Sequence, residues 1–138
     1  MAASNDGNGK SGKDQYFRRG EVYSRKVISE HLGGSHIPFA PTVKGRVKCI
    51  CLDPARNPLA PEKVFVGSGP GIERMAKQVA EQKGPFPTFL KQAPGSWEYL
   101  GRFQIRDYSA NSREFDRFYK PCKTPRDELT GILFLTAD

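Results

Sequence analysis

"SWEYLGRFQIRDY", residues 96–108, sets Trp97, Tyr99, Gly101, Phe103 and Ile105 against Glu98, Leu100, Arg102, Gln104 and Arg106. Alternation of period two over such a length is the pattern of a β-strand with one buried face and one largely polar face. It makes a sheet the base of the fold. Shorter strands read outward from it. "GRVKCICL" (45–52) alternates Val47, Cys49 and Cys51 against Arg46, Lys48 and Ile50, "EKVFVG" (62–67) is apolar and β-branched, and "TGILFLTAD" (130–138) reads as an interior strand.

Three helices are expected between them. The first follows Ser24 as N-cap, with Val27, Ile28 and Leu32 as its apolar face, and ends at Gly33-Gly34. The second lies in "SGPGIERMAKQVAEQKG" (68–84), where Ile72, Met75, Ala76 and Val79 recur at helical spacing before the Gly84-Pro85 stop. The third, "NSREFDRFYK" (111–120), has Asn111 as cap and Phe115, Phe118 and Tyr119 as its hydrophobic edge. Eleven prolines and fourteen glycines break the remainder into short pieces, with "GPFP" (84–87) and "QAPGS" (92–96) among the breaks. The expected class is α+β: a small curled sheet or barrel with about three flanking helices.

At 138 residues the chain suits one domain, taken as 16–138, with the Gly-, Ser- and Asn-rich residues 1–15 as a disordered tail. No apolar run approaches the roughly 20 residues of a membrane span, and the opening residues lack the apolar stretch of a secretory signal. The three cysteines are an odd number, and Cys49-x-Cys51 is too tightly spaced for a zinc knuckle, so a reducing intracellular setting with buried thiols is expected. No cofactor and no metal site is expected. Catalytic signatures are missing too: neither H-E-x-x-H nor G-x-S-x-G occurs, nor the clustered acids of a metal-dependent nuclease, which argues against an enzyme.

Charge gives the first functional direction. The net charge of +7 suits a polyanion ligand, and it is concentrated. Between Tyr16 and Lys48, seven bases (Arg18, Arg19, Arg25, Lys26, Lys44, Arg46, Lys48) face two acids (Glu21, Glu30), a balance of +5. A second basic stretch runs from Arg102 to Arg126. Both histidines, His31 and His36, fall in the same early stretch, around Gly33, Gly34 and Ser35.

"GEVYSRKVISEHLGG" (20–34) resembles the entry segment of SRA/YDG-type domains of the PUA-like superfamily, and "WEYLGRF" (97–103) is similar to aromatic-x-Tyr-x-Gly strand segments of that group. From Tyr16 to Asp138 the chain more closely resembles an uncharacterised domain recurring in fungal proteins. The shared motifs are Tyr23-Ser24-Arg25 through Gly33-Gly34, Asn57-Pro58-Leu59-Ala60-Pro61, and Trp97 through Phe103. The resemblance implies a PUA-like barrel that holds a modified or flipped base. The YDG signature and the glycine-rich pocket segment of SRA domains are missing here, so pocket residues do not carry over singly.

The implied function is a monomeric, nuclear DNA-binding module that reads a modified base, for example a methylated one, in duplex DNA. Such a reader unstacks a nucleotide and recovers the cost by stacking and hydrogen bonding in a pocket, while cations hold the flanking phosphates. The phosphate candidates are Arg18, Arg19, Arg25, Lys26, Lys44, Arg46 and Lys48, joined by Arg102 and Arg106 on the polar face of the long strand. The pocket candidates are Tyr23, His31, Ser35, His36, Trp97 and Tyr99, with Gly33 and Gly34 allowing close backbone approach. Peptide binding along proline-rich loops and RNA binding by a PUA-like domain are the rival expectations.

Overall fold

The computed structural model describes residues 16–138, so the expected tail at 1–15 lies outside the described residues. The fold is α+β, with three helices among the described residues on a small, curled half-barrel sheet. In chain order the elements are β1 (Val22–Tyr23), α1 (Arg25–Leu32), β2 (Thr42–Val43), β3 (Arg46–Val47), β4 (Ile50–Leu52), β5 (Lys63–Val66), α2 (Pro70–Gln82), β6 (Phe86–Ala93), β7 (Ser96–Ser109), α3 (Ser112–Phe118) and β8 (Gly131–Ala137). A 3-10 turn at Arg126–Glu128 precedes β8. The main sheet runs β4-β6-β7-β8-β5, with β1 added to β7 and a separate β2-β3 hairpin. Only β4-β6 is parallel; every other pairing is antiparallel.

Alternation along the strands divides the interior. Leu133 and Leu135 of β8, Val64 and Val66 of β5, and Ile50 and Leu52 of β4 point to one face, where Ala76 and Val79 of α2 cover them. Ile132, Phe134 and Phe65 point to the other, beneath Phe115 of α3. At the far end of that sheet, Trp97 and Tyr99 of β7 and Phe89 of β6 pack with Ile28 and Leu32 of α1, Cys49, Cys51 and Phe17. Each helix thus serves its own cluster. Burial of this kind contributes about 25 cal/mol per Å² of apolar surface.

The helix ends follow their chemistry. Ser24 Oγ accepts from Val27 N at 3.1 Å, and Asn111 Oδ1 accepts from Arg113 N at 2.8 Å. Gly33 (φ 91°) caps α1, donating to Ser29 O at 2.7 Å. Gly34 follows at φ 86°, and a Cβ there would sit 2.6 Å from Pro41 Cβ. The double glycine is therefore required by packing on the next loop. Gln82 of α2 holds the β2-β3 hairpin, accepting from Val47 N at 2.8 Å and donating to Val47 O at 2.9 Å.

Two expectations need correction. The strand expected over residues 45–52 is split at Lys48-Cys49; Val47 and Ile50 join the α2 side while Cys49 and Cys51 join the α1 side, so Ile50 is buried with Val47 instead of alternating with Arg46 and Lys48. "GPFP" (84–87) and "QAPGS" (92–96), expected as breaks, enclose and partly belong to β6 and its hairpin to β7. Pro87 is tolerated because β4 pairs only with Thr88–Leu90, leaving one neighbouring strand at Pro87 and an open side that needs no N–H.

Candidate functional site

The two ends of the sheet, β4 and β5, are consecutive in the chain and are joined by the loop at 53–62. A cavity of about 670 Å³ is bounded by this loop, the loop after α1, the first turns of α2, and the facing strands β6 and β7. That volume falls within the range of about 300–1,000 Å³ typical of small-ligand sites. Its wall is chiefly apolar: Phe39, Ile72, Met75, Trp97, Pro38 and Ile37. Ile72 and Met75 belong to the expected apolar stripe of α2, yet Ile72 is 44% exposed because it lines the cavity instead of entering the core.

Three permanent cations also line it, Arg25, Arg56 and Lys91, against the single carboxylate of Asp53, a net of +2 with His36 neutral. Arg25 is held tightly for a half-buried side chain. Its guanidinium lies 5.1 Å from the Trp97 ring centroid and donates to Pro38 O at 2.8 Å and to Ser35 O at 3.3 Å. It straps the 35–38 loop across Trp97. Lys91 Nζ sits 5.8 Å from the same ring. Trp97 is only 9% exposed, so the cavity presents its margin with the Arg25 guanidinium beside it. Among the described residues Arg56 has no ion pair.

Asp53 and Asn57 share one helical turn at the cavity wall, since Asn57 N donates to Asp53 O at 2.9 Å. Asp53 Oδ1 accepts from Ala55 N at 3.0 Å, and Asn57 Oδ1 accepts from Phe65 N at 2.8 Å, which caps the outer edge of β5. At the opposite edge, Cys51 N donates to Phe39 O at 2.7 Å.

Of the residues selected from sequence, Arg25, His36 and Trp97 meet at this cavity. The others lie elsewhere. Tyr23 accepts from Arg18 N at 2.9 Å and packs edge-on to Phe17; His31 stacks on Tyr16 at 3.7 Å; Tyr99 is buried in the α1 cluster. Gly33 and Gly34 close α1, and Ser35 Oγ accepts from Ile37 N at 3.3 Å. The Arg19 guanidinium lies against Gly101, where a Cβ would come within 2.7 Å of Nε. Lys26 is exposed on α1, and Lys44, Arg46 and Lys48 are exposed on and beside the β2-β3 hairpin. Arg102 donates to Pro85 O at 3.4 Å, and Arg106 sits 5.4 Å from the Phe134 ring centroid. In the second basic stretch, Arg126 pairs with Asp116 at 2.7 Å on the α3 side.

Sequence reasoning missed Arg56, Lys91, Asp53 and Asn57. Asn57 opens the Asn-Pro-Leu-Ala-Pro motif, which had been noted without a role. Lys91 was hidden because its strand reads as a proline break.

Cys49 and Cys51 Sγ are 4.0 Å apart in the α1 cluster, and no group of three or more His, Cys, Asp or Glu among the described residues could hold a metal ion. Beside the loop at 53–62, where Cys122 Sγ donates to Arg56 O at 3.5 Å, burial, with nearby Cys122 as a second cause, raises the Tyr119 pKa above the usual tyrosine value; its hydroxyl donates to Thr124 O at 2.8 Å.

The family model described as "Domain of unknown function (DUF6697)" matches residues 22–124, well over half of the chain, and the chain belongs to that family. No curated protein and no solved structure matches.

Proposed function

We propose that this member of the DUF6697 family is a nucleic-acid-binding module that draws one base of duplex DNA into the cavity and reads its modification. The observation that carries the proposal is Trp97 flanked by Arg25 and Lys91 at an apolar hollow with an excess of positive charge. Apolar side chains and a guanidinium plane suit a base taken out of its stack, while Arg56 and Lys91 suit the phosphates beside it. Exposed Lys26, Lys44, Arg46 and Lys48 extend the positive field that attracts a polyanion. In this role the protein acts in the nucleus.

Two features weigh against a peptide ligand. The outer edge of β5 donates to Asn57 and that of β4 to Phe39, which occupies N–H groups an added strand would need. A cationic side chain such as methyl-lysine would approach a tryptophan already flanked by two cations.

Fluorescence polarisation with duplexes that are unmodified or carry 5-methylcytosine, 5-hydroxymethylcytosine or N6-methyladenine tests the proposal. Trp97, the only tryptophan, reports insertion directly by quenching. One modification should bind preferentially, with affinity falling steeply from low to physiological salt. Uniform weak binding, or none, rejects the reader. Salt-independent peptide binding would favour the interaction module, and displacement by structured RNA would favour an RNA ligand.

A further inference from the structure

Asn57 poses a specific problem of hydrogen bonding. The residue is more than nine-tenths buried, at 8% exposure, and it lines the cavity. The Phe65 amide fixes the orientation of its carboxamide, because an N–H must meet Oδ1 rather than Nδ2. Nδ2 is then a buried double donor with no acceptor among the described residues. Leaving such a group unsatisfied is unfavourable. One turn earlier, Asp53 uses Oδ1 on Ala55 N and leaves Oδ2 as an acceptor without a partner among the described residues. Asp53 is half-buried, lines the same cavity and has no ion pair with the neighbouring Arg56.

We infer that Asp53 and Asn57 form the specificity pair of the cavity, presenting one acceptor and one donor to the edge of a planar heterocycle. The inference rests on the base-reading function proposed above and names what is read there. The complementary ligand edge has a donor next to an acceptor. In nucleic acids that is the Watson–Crick edge of an unpaired base, which extruded-base pockets read by hydrogen bonds. Read from the exocyclic group at C4 or C6 to the adjacent ring nitrogen, amino bases (cytosine, adenine) run donor–acceptor and keto bases (thymine, guanine) run acceptor–donor. A pair fixed by the backbone therefore accepts one order and opposes the other with donor against donor and acceptor against acceptor. Apolar Ile72 and Met75 supply contact area without choosing between the two orders.

The order can be reversed while both backbone hydrogen bonds are kept. In the double variant Asp53→Asn/Asn57→Asp, Oδ1 at each position still accepts from the Ala55 and Phe65 amides, and net charge is unchanged. The group facing the cavity changes from acceptor to donor at residue 53 and from donor to acceptor at residue 57.

The test uses the full chain and four duplexes identical except for a single bulged, unpaired C, A, T or G, so that unpairing costs little. Binding is read by polarisation and Trp97 quenching. Wild type should separate amino from keto bulges by about 10-fold or more, the scale of one good bidentate pair. The double variant should invert the order. Equal binding of all four bulges by wild type, or an unchanged order in the folded double variant, overturns the inference and leaves base reading standing. Failure to prefer any bulged duplex over a fully paired one rejects base reading itself. Asp53→Asn alone serves if the double variant does not fold: it should reduce the discrimination several-fold, and an undiminished preference counts against the pair.

Discussion

Replacing Arg25 by methionine measures what holds the cavity wall in place. Methionine keeps an unbranched apolar stem on Trp97 and removes the guanidinium. The bond to Pro38 O is 2.8 Å and part-buried, so its loss costs about 1–2 kcal/mol, the value for a charged hydrogen bond reduced for solvent access. The Ser35 carbonyl is exposed and water replaces the donor there at little cost. The contact with Trp97, at 5.1 Å, adds about 0.5–1 kcal/mol. The expected total is about 2 kcal/mol, a fall in Tm of roughly 6–10 °C for a domain of this size. Urea unfolding followed by Trp97 emission reads it, and Arg25→Lys should recover about half, since lysine restores charge without the planar fork. Stability within about 0.5 kcal/mol of wild type for Arg25→Met would refute the strap, because mutations without a structural role fall in that range.

Gly34→Ala should be the most damaging small substitution. It combines a left-handed backbone with a 2.6 Å clash on Pro41, for about 2–4 kcal/mol by calorimetry, whereas Gly95→Ala at φ 78° meets nothing and should cost only the backbone strain of about 1 kcal/mol. A thiol reagent should modify no more than one cysteine per native chain, half-buried Cys122, and all three in denaturant, because Cys49 and Cys51 are 0% and 3% exposed. Two or three fast-reacting native thiols would contradict the α1 cluster. The raised Tyr119 pKa means that its contribution to stability is complete below the usual tyrosine range and declines as pH rises above about 10. Tyr119→Phe should therefore flatten the alkaline limb of the stability–pH profile, and an unchanged limb would contradict it.

The helices were legible in sequence because their signals are local. Ser24, Asn111 and the Gly33-Gly34 pair act on backbone within a few residues, and the structure uses them as caps. The alternation of β7 was equally plain, since both of its faces are set by the pleat. The sequence hid β6, whose pairing depends on partners on both sides and whose Pro87 is acceptable only at a place where β4 has ended. The site suffered most from this gap. Arg25, His36 and Trp97 were identified by charge and aromatic type, but Lys91 lies on the hidden strand, and Asp53, Arg56 and Asn57 come from a loop whose position depends on the curl of the whole sheet. Clustering of positive charge along the chain was a poor guide to clustering in space: Arg19 packs against the sheet at Gly101, and Lys44, Arg46 and Lys48 belong to the hairpin.

The place of β8 has a kinetic consequence. It is the last strand among the described residues, yet it lies between β7 and β5 in the sheet. Until Gly131–Ala137 has been synthesised, the Val64-Phe65-Val66 segment has no ladder to join and one flank of β7 stays open. A nascent chain halted at residue 124 would carry two unsatisfied edges of the kind that recruit other strands. Productive folding must wait for Gly131–Ala137, and refolding should be slow, limited by a long-range closure between Lys63–Val66 and Gly131–Ala137.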